Sequence, residues 1–130
     1  MLNKNLIKFK EWREKAEEDL QSGEILIKHD GPPAIIAFHA QQAMEKYLKS
    51  FMVFNGKSFE KTHQLDKLID ECGKIDNSFK DFENEAAQLN DYYIEARYPL
   101  DINEGISLQE AREALEAAKR MKDFVLSKIK

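Results

Sequence analysis

Residues 34–54, AIIAFHAQQAMEKYLKSFMVF, decide the fold. Ile35, Ile36, Phe38, Ala40, Ala43, Met44, Tyr47, Leu48, Phe51 and Met52 recur at helical steps and form an apolar band wider than a single stripe. A helix of that kind is enclosed by others, so the spacing predicts the central helix of an all-α bundle. Its limits are equally readable. Asp30-Gly31-Pro32-Pro33 precedes it, with Gly31 as a C-terminal cap for an earlier helix and proline confined to the first turn of the next. Asn55-Gly56 ends it.

Working outward, Leu6, Phe9, Trp12, Ala16, Leu20 and Ile27 mark a first amphipathic helix from Asn5 to about His29. On the other side, Thr62 is placed to cap a short helix from His63 to about Cys72, closed by Gly73. Phe79, Phe82, Ala86, Leu89 and Tyr93 mark a further helix, which breaks near Arg97 because Tyr98 precedes Pro99. Ser107-Leu108-Gln109-Glu110 has the form of a capping box. It opens a last helix whose shared face is Leu108, Ala111, Leu115, Ala118, Met121 and Val125. The expected architecture is an up-and-down four-helix bundle with one short additional helix, in a single domain spanning residues 1–130.

Composition narrows the function. Hydrophobic residues at 42% allow a real core, and 34% charged residues suit solvated outer faces, which argues against disorder. The net charge of -4 argues against a general polyanion binder. The basic run near Lys119 to Lys130 suits the negative end of a terminal helix. The single Cys72 falls at an apolar spacing from Leu65, Leu68 and Ile69, which predicts a buried thiol in a reducing compartment. No stretch reads as a signal peptide or membrane span, so the expected location is the cytoplasm.

Chemistry-bearing residues are sparse. His29, His39 and His63 lie in different elements, with one cysteine and no Glu-x-x-His pair, so neither a metal nor a cofactor is expected. Two polar stripes stand out. His39, Gln42 and Lys46 share one face of the central helix, and Asn90, Tyr93 and Arg97 share a face of the fourth. One reading makes Gln42, Asn90 and Tyr93 a buried network that satisfies itself while Lys46 and Arg97 reach outward. The other opens a ligand cleft between the stripes. There Arg97 would fork onto phosphate while Tyr93 and Tyr98 stack a base. Alternatively, Arg97 pairs with Asp101 or an acid of the fourth helix.

Two segments carry a resemblance. Residues Ala37 to Lys49 followed by Thr62-His63-Gln64-Leu65, and later Tyr93-Ile94-Glu95-Ala96-Arg97-Tyr98-Pro99, resemble the HEPN domain family across nearly the whole chain. The resemblance implies a four- to five-helix bundle that commonly forms homodimers and is often encoded beside a minimal nucleotidyltransferase. It implies either a module binding a nucleotide or small substrate, or a metal-independent ribonuclease or toxin, with a toxin–antitoxin or defence role for such pairs. The ribonucleases use an Arg followed, after four to six residues, by a His. Counting from Arg97, the corresponding positions hold Ile102, Asn103 and Glu104. An amide cannot exchange a proton near pH 7 as an imidazole does. The first expectation is therefore a dimeric module docking a nucleotidyltransferase and holding nucleotide or substrate. The alternatives are a degenerate ribonuclease in which His39 or His63 replaces the missing His, and a dimerisation module with no ligand.

Overall fold

The computed structural model of the chain describes residues 3–59, 61–95 and 105–129. Three long helices carry the architecture: α1 (Lys4–Lys28), α2 (Pro33–Phe54) and, last in the chain, α6 (Leu108–Lys128). Between α2 and α6 run α3 (Leu65–Ile75), a 3₁₀ segment (Asn77–Phe82), α4 (Glu83–Asn90) and α5 (Tyr92–Glu95). The described residues form the all-α bundle expected from the periodicity, but the stretch expected as one helix through Phe79, Phe82, Ala86, Leu89 and Tyr93 is built in segments, Phe79 and Phe82 in the 3₁₀ turn, Ala86 and Leu89 in α4 and Tyr93 in α5. The 3₁₀ turn starts where Asp76 Oδ1 accepts from the Ser78 amide and hydroxyl, and the chain bends again at Asp91.

α2 lies at the centre, packed most extensively on α1 and α6. Its wide apolar band is the reason, because Ile36, Ala37, Ala40, Ala43, Met44, Tyr47 and Leu48 are all fully enclosed. At one end Phe51, Phe79, Phe82 and Phe124 interlock, with centroids 4.5–5.2 Å apart along the row. Cys72 is buried as expected. Its Sγ lies 3.6 Å from the Leu48 carbonyl, and burial pushes its pKa up to about 12. The Tyr47 hydroxyl is also enclosed, with no hydrogen-bond partner among the described residues.

The helix limits follow cap chemistry. Asn3 Oδ1 accepts from the amides of Asn5 and Leu6 to open α1. The α6 capping box forms as read, with Ser107 and Glu110 bonding each other's backbone amides. At the end of α1 the left-handed residue is Asp30 (φ 56), while Gly31 donates to the Leu26 carbonyl at 2.7 Å. Gly31 is required for another reason: a Cβ there would sit 2.9 Å from the Leu26 Cβ. Gly56, at φ 69, occupies the left-handed position after α2.

The limits of α3 also differ from the sequence reading. α3 begins at Leu65, because Thr62 Oγ1 accepts from Gln64 N in a local turn and the Leu65 amide goes to Asn90 Oδ1 at 2.8 Å. Gly73 does not end that helix. It lies inside the last turn, against the aliphatic stem of Lys80, and the chain becomes extended only at Asp76.

Candidate functional site

The polar face of α2 splits into two carboxylate-centred arrangements. The first is built on Asp19 of α1, three residues after buried Ala16 and four before buried Gly23 and so on their face of the helix, toward α2. Its Oδ1 accepts from His39 Nδ1 at 2.9 Å and its Oδ2 from Lys46 Nζ at 2.5 Å. Burial pushes the Asp19 pKa upward, but the hydrogen bonds and charges of His39 and Lys46 outweigh it, so the carboxyl titrates below the ordinary range.

The second is built on Glu45, only 2% exposed although it is an acid. Its Oε2 accepts from Lys49 Nζ at 3.0 Å, one helical turn on, and its Oε1 from His63 Nδ1 at 2.9 Å. Lys49 is itself buried, its ammonium 5.4 Å from the Trp12 ring centroid and 5.2 Å from that of Phe59. Gln42 Nε2 donates to Gln41 Oε1 at 2.7 Å and makes a long contact of 3.5 Å to Glu45. Gln41 Nε2 in turn donates to the His63 carbonyl at 2.9 Å. A buried ion pair is tolerated when hydrogen bonds engage its remaining lone pairs, and this network does so.

A row of rings links the two arrangements. His63 stacks on Tyr93 with centroids 4.2 Å apart and planes 15° apart. Tyr93 meets Phe38 at 5.9 Å, and Phe38 meets His39 at 5.8 Å. Each imidazole has Nδ1 committed to a carboxylate. In the neutral ring this places the proton on Nδ1 and the acceptor lone pair on Nε2. The His63 side chain is 51% exposed and that of His39 25%. The arrangement can accept or donate a proton at two imidazole edges and offers an aromatic surface between them.

The residues expected from sequence divide clearly. His39, Gln42 and Lys46 do line one face of α2, and Tyr93 joins them through Phe38. Among the described residues Gln42 and Asn90 do not meet in the expected mutual network. Asn90 instead caps α3 and donates to Asp66 Oδ1 at 3.2 Å, because it sits beside the first turn of that helix. Lys46 turns inward to Asp19 instead of reaching outward. Arg97 and Tyr98 lie outside the described residues, as do Asp101, Ile102, Asn103, Glu104 and the break at Pro99.

Sequence reasoning missed Asp19, Gln41, Glu45 and Lys49. A signal existed for the last two, since an acid and a base four residues apart inside a broad apolar band must be buried together. Asp19, following Glu17 and Glu18, carried none. Among the described residues no group of three or more His, Cys, Asp or Glu side chains is arranged to hold a metal ion. Among them, too, no helix is long and apolar enough to cross a membrane.

A search of curated proteins gives no match. Among solved structures, the chain is similar to TT1696 from Thermus thermophilus, at 27% identity over 92% of this chain and 97% of that one, with a TM-score of 0.83. It is also similar to ST0689, described as an archaeal HEPN homologue, at 25% identity over 94% of this chain and 98% of that one, with a TM-score of 0.75. The family model of the HEPN domain matches residues 9–129. On that match and the shared bundle, this chain belongs to the HEPN domain family.

Proposed function

We propose that this chain is a homodimeric HEPN module that associates with a minimal nucleotidyltransferase, in a toxin–antitoxin or defence pair, and holds a nucleotide on the face formed by His39, Phe38, Tyr93 and His63. The observation that carries the ligand reading is the row of rings from His39 to His63, with an imidazole fixed by a carboxylate at each end. Aromatic faces stack bases without demanding one sequence, and imidazole edges hydrogen-bond phosphate or ribose oxygens. Arg97, four residues beyond Tyr93, is the expected phosphate contact in this reading.

Gln42 and Lys46 act indirectly. Lys46 keeps Asp19 ionised and Gln42 orients the Gln41 and Glu45 groups, so their loss disturbs the histidines and not a ligand contact of their own. Partner association is tested by size exclusion with light scattering, mixing the chain with the nucleotidyltransferase encoded beside it, with and without ATP. A stable complex containing two copies of this chain supports the reading. A chain that remains monomeric at tens of micromolar and binds neither partner nor ATP removes it.

A further inference from the structure

Two rings from the stretch between α2 and α3 return to the same buried ion pair. The Phe59 centroid lies 5.2 Å from the Lys49 ammonium and 5.4 Å from that of Trp12, and His63 Nδ1 meets Glu45 Oε1 at 2.9 Å. Gln41, fully enclosed, donates to the His63 carbonyl. The rest of the stretch has little hold on the bundle. Among its described residues there is no helix or strand, and Lys57, Ser58, Lys61, His63 and Gln64 are exposed. Segments with few buried apolar contacts are the first to open locally.

What lies beneath the two rings sets the cost of opening them. Lifting a ring from an apolar core, as at the Phe51, Phe79 and Phe124 end of this bundle, exposes hydrocarbon to water with no compensation. Lifting Phe59 and His63 instead lets water reach a carboxylate and an ammonium that are 2% and 6% exposed. The hydration regained by the two charges offsets the ring contacts that are lost. Glu45 and Lys49 remain each other's partners at 3.0 Å, one turn apart on α2, so neither the pair nor the helix has to break.

We propose that Phe59 and His63 form a strap that lifts off Glu45 and Lys49 as one unit while the helices stay packed, and that a ligand on the ring row holds the strap down. His63 completes that row against Tyr93, so the row is whole only in the closed form. A ligand that stacks on both rings has the higher affinity for the closed form and shifts the population toward it. This coupling rests on the nucleotide-binding reading above, whereas the opening of the strap does not.

The chain carries its own reporters. Trp12 is its only tryptophan, packs on Phe59 and is no part of the ring row, so its fluorescence reads the strap. Cys72 is its only cysteine and is buried against the Leu48 carbonyl, so its reaction with a thiol reagent reads opening of the core. Urea titration of the full chain is followed by acrylamide quenching of Trp12, by circular dichroism and by Cys72 labelling. Trp12 is expected to become accessible at a lower urea concentration than that at which the helices are lost and Cys72 reacts. Coincidence of all three transitions overturns the strap. In Glu45→Leu with Lys49→Met no charge beneath the rings regains hydration, and the Trp12 transition is expected to merge with that of the helices. An early Trp12 transition that persists in this variant overturns the ion pair as its cause. Saturating ATP is expected to narrow the gap between the two transitions of the native chain. ATP that binds in calorimetry without narrowing the gap overturns the coupling. ATP that does not bind, with the transitions still apart, overturns the nucleotide reading and the coupling together and leaves the opening of the strap established.

Discussion

Replacing Glu45 by Gln keeps the volume and removes the charge, which makes it a clean probe of the central network. In the native chain Glu45 and Lys49 are 2% and 6% exposed, and each supplies the other's countercharge. In the variant the Lys49 ammonium stays enclosed by Trp12 and Phe59 with only an amide oxygen to meet it, and His63 loses an ionised acceptor. Breaking one side of a buried pair costs about 3–5 kcal/mol. The cation–π contacts of Lys49 offset part of this by stabilising the ammonium in place, so the lower end, about 3 kcal/mol, is expected. For a domain of this size that corresponds to a fall in Tm of roughly 10 °C. Urea unfolding followed by circular dichroism at pH 7 reads the difference directly. The double variant Glu45→Leu with Lys49→Met, which removes both charges, is expected to recover most of the loss. A single-variant effect below about 1 kcal/mol, or a double variant worse than the single one, would refute the buried-pair reasoning.

Other consequences are equally specific. Tyr47→Phe removes a buried hydroxyl with no partner among the described residues and should leave urea stability unchanged or raise it by up to about 2 kcal/mol, where a loss would mean the hydroxyl is satisfied. Gly31→Ala places a Cβ 2.9 Å from Leu26 Cβ and 3.0 Å from its carbonyl oxygen, and should destabilise by about 1–3 kcal/mol in the same assay. Asp76 is held at about 2 by the Ser78 hydroxyl, then by Lys128 and the Ser78 amide, and Asp19 also lies below the ordinary 3.8. A depressed carboxylate contributes its stability above the unfolded value and loses it as pH falls through the folded one. The contribution of these two carboxylates to thermal stability should therefore be constant above about pH 5 and be lost between about pH 4 and 2, so that Asp19→Asn with Asp76→Asn makes the acid-side fall shallower.

The features legible in the sequence were those with local causes. The breadth of the α2 apolar band predicted its central position, and the Ser107–Glu110 box placed the start of α6 to the residue. Both depend on neighbours within one or two turns. The start of α3 did not yield to the same reasoning, because the acceptor for the Leu65 amide is Asn90, far along the chain and on another helix. Gly73 was read as a stop, yet its helix continues because Gly73 gives room to Lys80. The same limit governed the site. His39, Gln42 and Lys46 could be grouped by spacing, but the carboxylate that organises two of them is on α1 and the histidine that completes the row is in the loop before α3. Tertiary contact decides which of several polar side chains on a helix turn inward, and spacing alone does not carry that information.

The most direct test of the account is a calorimetric titration of ATP into the full chain and into His39→Ala and His63→Ala, with folding of each variant checked by circular dichroism. The account predicts saturable binding by the native chain and a loss of affinity of about tenfold or more in each variant, equivalent to at least about 1.4 kcal/mol per imidazole. An absence of binding by the native chain, or affinities that both folded variants retain in full, would contradict it.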